Sequence, residues 1–232
     1  MKKVTSTAFV VALMVCAAPA LATIVYDTGA STGTFTPFNS STPAGTLFGD
    51  SGYFGGGGDA PVGIASLTLG LAVYGDGAAA AEGTTDIVFT FNDGDPSGLI
   101  FGPGTTLYST TIEDVVLPAT GNGQETLFSL TIPMPGPMTS GGFNNFGFSI
   151  GIENYSYNGN FGFQNRGGFN SLGFYTNNAS EFTPGSGWSL FAFGPNNPAD
   201  IANFVMTVDV PEPASLALLS LGGLAVISRR RR

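Results

Sequence analysis

Apolar and polar residues alternate with a period of two through much of the chain. Leu67, Leu69, Leu71 and Val73 alternate with Thr68, Gly70, Ala72 and Tyr74, and Ile87, Phe89 and Phe91 follow the same rule. Phe146, Phe148, Ile150 and Ile152 alternate with Gly147, Ser149, Gly151 and Glu153, while Phe204, Met206 and Val208 oppose Thr207 and Asp209. Side chains two apart share one face of a strand, so each run reads as a strand with one buried side. Further strands are predicted over 106–117, 126–132, 171–176 and 188–193, each bounded by Gly, Pro, Asn or Asp. No helical stripe appears between the chain ends. Many short strands of this kind predict an all-β domain over residues 23–209, a single antiparallel β-sandwich of jelly-roll type. Leu69, Phe89, Phe148, Phe163, Phe191 and Phe204 are its expected core. Residues 23–60, dominated by Thr, Ser and Gly, are expected to be irregular. Residues 141–148 and 167–174 resemble each other and read as two similar strand starts in one sandwich.

Both chain ends break the alternation. Residues 1–22 carry Lys2 and Lys3, an apolar run from Ala8 to Ala18, and Ala20-Leu21-Ala22. Charge, apolar run and small residues in that order make a secretory signal helix, cut by a signal peptidase between Ala22 and Thr23. At the other end Pro211-Glu212-Pro213 precedes an apolar stretch, 214–227, and the cluster Arg229, Arg230, Arg231 and Arg232. Fourteen helical residues span about 21 Å, short of the ~30 Å hydrocarbon core, so a short transmembrane helix is expected, with local thinning. The arginines act as a stop-transfer signal and stay cytoplasmic.

The tail Val210-Pro211-Glu212-Pro213, then Ala214-Ser215-Leu216-Ala217-Leu218-Leu219, Gly222-Gly223-Leu224-Ala225 and the Arg run, resembles the PEP-CTERM sorting signal. The resemblance is confined to 210–232. It implies a bacterial source with exopolysaccharide and processing near Pro211-Glu212-Pro213 by an exosortase, a membrane transpeptidase-like enzyme. It implies nothing direct about residues 23–209.

Charge narrows the partners. The chain carries a formal net charge of −9, and Arg166 is the only basic side chain between the Lys pair and the Arg cluster. So acidic a domain repels phosphate backbones, and nucleic acid is not an expected partner. There is no histidine, and the single cysteine, Cys16, lies in the signal segment. Ser-His-Asp and Cys-His catalysis and zinc sites built on His or Cys are thereby excluded.

The remaining motifs are weaker. Asp27-Thr28-Gly29 and Asp50-Ser51-Gly52 resemble aspartic-protease loops but are too close in sequence for two matching lobes, and read as turns. Leu117-Pro118-Ala119-Thr120-Gly121 has the letters of a sortase signal in the wrong position and also reads as a turn. Asp93 and Asp95, in the loop Asn92-Asp93-Gly94-Asp95, are candidate calcium ligands; no other cofactor is expected. Tyr155, Tyr157, Tyr175 and Trp188 are candidates for stacking on sugars. The first functional expectation is a non-enzymatic protein of the cell surface or extracellular matrix, transiently anchored in the inner membrane and associated with exopolysaccharide. A carbohydrate-binding or adhesive module is the alternative, and a carboxylate-based glycoside hydrolase or lyase the second alternative.

Overall fold

The computed structural model describes residues 23–31, 33, 35–38, 41–55, 63–77, 80–99, 104–139, 145–166, 172–175, 179–190 and 203–210, without the side chains of 136–139 and 175. The predicted signal helix, the apolar run 214–227 and Phe191 lie outside them. Among the described residues no helix is long and apolar enough to cross a membrane.

The described residues form thirteen strands: β1 (Thr23–Asp27), β2 (Phe35–Phe38), β3 (Leu47–Tyr53), β4 (Gly63–Tyr74), β5 (Ala81–Asn92), β6 (Thr106–Thr120), β7 (Glu125–Thr139), β8 (Asn145–Glu153), β9 (Asn160–Gln164), β10 (Phe174–Tyr175), β11 (Ser180–Thr183), β12 (Gly187–Leu190) and β13 (Met206–Val210). All strand pairs are antiparallel. One sheet runs β1-β13-β4-β9-β2, with β7 on the other side of β4. The second runs β12-β11-β3-β8-β5-β6, with β10 also on β3. The eight strand regions read from the sequence are all strands here. Within 171–176 the described residues are strand at Phe174–Tyr175, and within 188–193 residues 188–190 lie in β12 while 191–193 are outside the described residues.

Residues 23–60 are more regular than expected. They supply β1, β2 and β3, and β3 lies inside the second sheet between β8 and the β10/β11 edge. Each of these strands contributes a buried aromatic ring, Tyr26, Phe38 or Phe48, but has too little alternation to be read as a strand on its own. Their order comes from partners far along the chain: β1 pairs with β13 and β2 with β9. Leu117–Thr120, expected as a turn, closes strand β6 instead, with Leu117 buried.

The sheets face each other across one core. Leu67, Leu69, Leu71 and Val73 of β4 point inward and are fully buried. Phe146, Phe148 and Ile150 of β8 and Ile87, Phe89 and Phe91 of β5 meet them from the other side. Rings join the layers: Phe204, just before β13, stacks on Phe163 of β9 at 4.4 Å and meets Phe148 edge-on at 6.3 Å. Tyr26–Phe146 and Phe38–Phe48 are further edge-on contacts between the sheets, at 4.8 and 4.9 Å. Phenylalanine fills a gap of about 10 Å between sheets from both sides, which accounts for its abundance here. Five of the six expected core residues, Leu69, Phe89, Phe148, Phe163 and Phe204, are buried.

Two seams close the sandwich. A short turn links β6 to β7, the edge strands of opposite sheets. On the other side Asp27 and Leu172 exchange backbone hydrogen bonds at 3.0 Å, and Gly55 N donates to Val25 O at 2.7 Å, tying β1 to the second sheet. The described parts of the two similar segments flank β3: Asn145 and Phe174 both lie opposite Tyr53.

Candidate functional site

The sorting tail is continuous with the sheet. β13 lies between β1 and β4, with Val208 opposite Leu67 and Asp209 opposite Ser66. Asp209 also accepts a hydrogen bond from the Ser66 hydroxyl at 3.3 Å. Val210, the last residue of β13, pairs with Thr23, the first of β1. The expected signal cut and Pro211 are therefore attached to neighbouring strand ends. Proline has no N–H for the ladder and confines the preceding residue to extended conformations, so Pro211 suits the point where the sheet stops. Ala20, Ala22, Pro211, Glu212, Pro213 and Arg229, Arg230, Arg231 and Arg232 lie outside the described residues.

The candidate calcium ligands have internal partners. The Asp95 carboxylate accepts from Ser97 N at 2.9 Å and from the Ser97 hydroxyl at 2.7 and 2.8 Å. Asp93 accepts from Thr105 N and closes the loop between β5 and β6. Among the described residues no group of three acidic side chains is placed to hold a metal.

The two protease-like triplets stand apart in role. Asp27 accepts from Gly29 N at 2.7 Å in a turn where Gly29 has φ 82°. Asp50 lies on β3 on the same face as Phe48 and is buried. Its carboxylate accepts from Ser51 N at 2.8 Å and, across the sandwich, from Phe204 N at 3.0 Å. Burial pushes its pKa up to about 7, against the two N–H donors and with some help from Asp95.

A second polar knot had no sequence signal. Asp86 of β5 accepts from Asp114 N at 2.8 Å and from the Asn154 amide, which hold its carboxyl below the usual range. Asp114 and Asn154 are the described non-glycine residues with positive φ, at 53° and 48°. The carboxylate thus staples two left-handed turns, one on β6 and one after β8.

Of the aromatic residues singled out for sugar stacking, Tyr157 is buried with its hydroxyl donating to Pro118 O at 3.1 Å. Tyr155 donates to Gly159 O at 2.5 Å, and burial raises its pKa. Trp188 packs against Phe182 at 5.5 Å. An open groove of about 330 Å³ lies on the first sheet, lined by Asp27, Thr68, Gly70, Phe128 and Gln164 among others.

No curated protein and no solved structure gives a match to the chain. Residues 209–232 match the PEP-CTERM protein-sorting motif. The match begins at Asp209, within β13, and runs to the last arginine. The chain therefore carries a C-terminal PEP-CTERM protein-sorting motif joined directly to the last strand of an all-β domain, and the motif implies export with a membrane-held stage handled by an exosortase.

Proposed function

We propose that this chain is an exported, exosortase-sorted protein of the cell surface or extracellular matrix, non-enzymatic and associated with exopolysaccharide. The signal segment is removed before Thr23, and the tail then holds the domain at the outer face of the inner membrane. The observation that carries the reading is the match over 209–232, with β13 ending one residue before Pro211. Such a cut site beyond the last paired residue lets processing leave the domain intact. The absence of His, and of Cys and Lys after residue 22, agrees with a non-enzymatic domain.

The test is to replace Pro211-Glu212-Pro213 by alanines in the native host. Export is expected to continue, while the full-length chain is trapped in the membrane. Removing the four arginines is expected to loosen the tether and release unprocessed chain. An alanine variant that reaches the surface with its tail removed would overturn the role of the motif.

The groove on the first sheet favours a second reading, a carbohydrate-binding module. Its amide and hydroxyl groups, with Phe128 at hand, offer the mixture of hydrogen bonds and apolar contact that sugars require. Binding on a glycan array, lost in Gln164→Ala and Phe128→Ala, would establish it; a blank array rejects it.

A further inference from the structure

Strand directions define two poles. β13 runs toward the pole that carries Val210 and Thr23. Antiparallel pairing places Gly63 of β4 there, and Tyr74 with Glu125 of β7 at the opposite pole. In the second sheet Tyr53 of β3, Asn145 of β8 and Phe174 of β10 lie at the Val210 pole, since Phe146 meets Tyr26 and Gly55 bonds Val25. The twelve residues of β4 separate the poles by about 40 Å.

Exposed charge, but not exposed apolar surface, is divided between the poles. The exposed acidic residues among those described are Asp76, Glu82, Glu113, Asp114, Glu125 and Glu153. Asp76, Glu82 and Glu125 flank the turns at the far pole. Glu153 ends β8 on that side, with Asp86 opposite it and Glu113 and Asp114 beyond on β6. None of the six lies at the Val210 pole. Among the described residues the acids of that half, Asp27, Asp93, Asp95 and Asp209, are partly or fully buried and hydrogen-bonded. The same half exposes Ile24 (46%), Leu172 (38%) and Phe174 (72%), and Leu99 (51%) lies in the loop that leaves and re-enters the second sheet there, while Val116 (76%) and Leu127 (48%) are exposed toward the far pole.

We propose that the domain stands end-on at a lipid bilayer, resting on the pole that carries Thr23, Val210 and Phe174, with the acidic pole directed away. The occupant of this surface is lipid, because both apolar runs of the chain, 8–18 and 214–227, are attached at this one pole. The inference rests on the membrane-held stage proposed above. Exposed apolar side chains there reach the interface. The carboxylates at the far pole stand beyond the Debye length of ~8 Å from anionic headgroups. The two processing sites then lie side by side at the membrane surface, within reach of membrane-embedded enzymes.

The experiment uses the full 232-residue chain with Cys16→Ala, so that one introduced cysteine is the only thiol. Phe174→Cys, Thr131→Cys on the exposed face of the first sheet, and Glu125→Cys at the far pole each carry a fluorophore. The chains are reconstituted in phosphatidylethanolamine–phosphatidylglycerol vesicles containing a lipid-bound quencher, after circular dichroism shows that each retains its β spectrum. The expected result is flotation of all three with the vesicles, and quenching several-fold stronger at 174 than at 131 or 125. Flotation with equal quenching at all three sites, or strongest quenching at 131, overturns the end-on placement and leaves the sorting reading standing. Failure to float overturns both.

Discussion

Asp50 places an acid in the space between two sheets whose other inward residues there are phenylalanines. Its folded pKa, about 7, lies above that of an unfolded aspartate, near 4. The folded state therefore holds a proton that the unfolded state releases. The resulting stability is fully present below about pH 4 and is lost as pH rises through about 7. The domain is expected to be a few kcal/mol more resistant to urea at pH 5 than at pH 8, and Asp50→Asn is expected to flatten that part of the profile. Asp95 is the acidic side chain that acts on Asp50, so Asp95→Asn is expected to lower the midpoint of the dependence slightly. Urea titrations across pH 4–8 of the unaltered domain and the two variants check this. Phe148, which meets both Phe89 and Phe204, is a second test at this scale. Phe148→Ala is expected to cost about 3–5 kcal/mol, as for other emptied aromatic core sites. The burial of Phe148 was legible from period-two alternation. That of Asp50 was not, because an acid followed by Ser-Gly has the letters of a turn, and the donor that holds it across the core, Phe204 N, arrives from the other sheet.

Strands with their own apolar alternation, β4, β5 and β8, were readable as elements. The missed strands, β1, β2, β3, β9 and β11, are four to seven residues long, and each is ordered by a neighbour. β9 and β13 share one edge of β4 end to end: β13 pairs with Leu67 and Leu69, β9 with Leu71 and Val73. Between them Gly70 N donates to Val205 O at 2.8 Å, and Gln164 reaches Leu71 O at 2.7 Å with its amide. No sequence pattern announces such a junction. The register of β9 on β2 is also enforced locally, because a Cβ on Gly162 would overlap the Thr36 carbonyl. Gly162→Ala is therefore expected to destabilise the domain by about 1–3 kcal/mol or more, by forcing β2 away from β9. Thermal melting checks this, with Gly185→Ala as a contrast: that turn glycine has open space around its Cβ position and is strained only by its φ of 85°.

For the whole molecule, the decisive contacts join the two ends of the domain. The Thr28 hydroxyl bonds to the backbone of Met206, 178 positions away, accepting from its N–H at 2.8 Å. β13 is an interior strand made of the last residues before the tail. Its pairing with β1 and β4 cannot form until the chain is exported almost to Pro211, and long-range pairing of this kind is slow to form. Domains ending at Val210 and at Pro213 are expected to melt alike, whereas one ending at Val205 is expected not to fold. Circular dichroism and melting of the three, each starting at Thr23, test this. Tail removal then releases a finished domain, while any cut upstream of Met206 releases an open one.

The sequence by itself determined that the chain carries a sorting tail and what kind of domain travels with it. The Pro-Glu-Pro, apolar and arginine segments are contiguous, and strand alternation is local, so both can be read without a partner. Only the tertiary structure decided that Thr23 meets Val210, that Asp50 is buried with its pKa pushed up to about 7, and that the exposed acids among the described residues lie away from the Val210 pole. Each of these depends on which strands become neighbours. That choice is made by pairing and packing between residues more than a hundred positions apart, where one-dimensional periodicity carries no information about the partner.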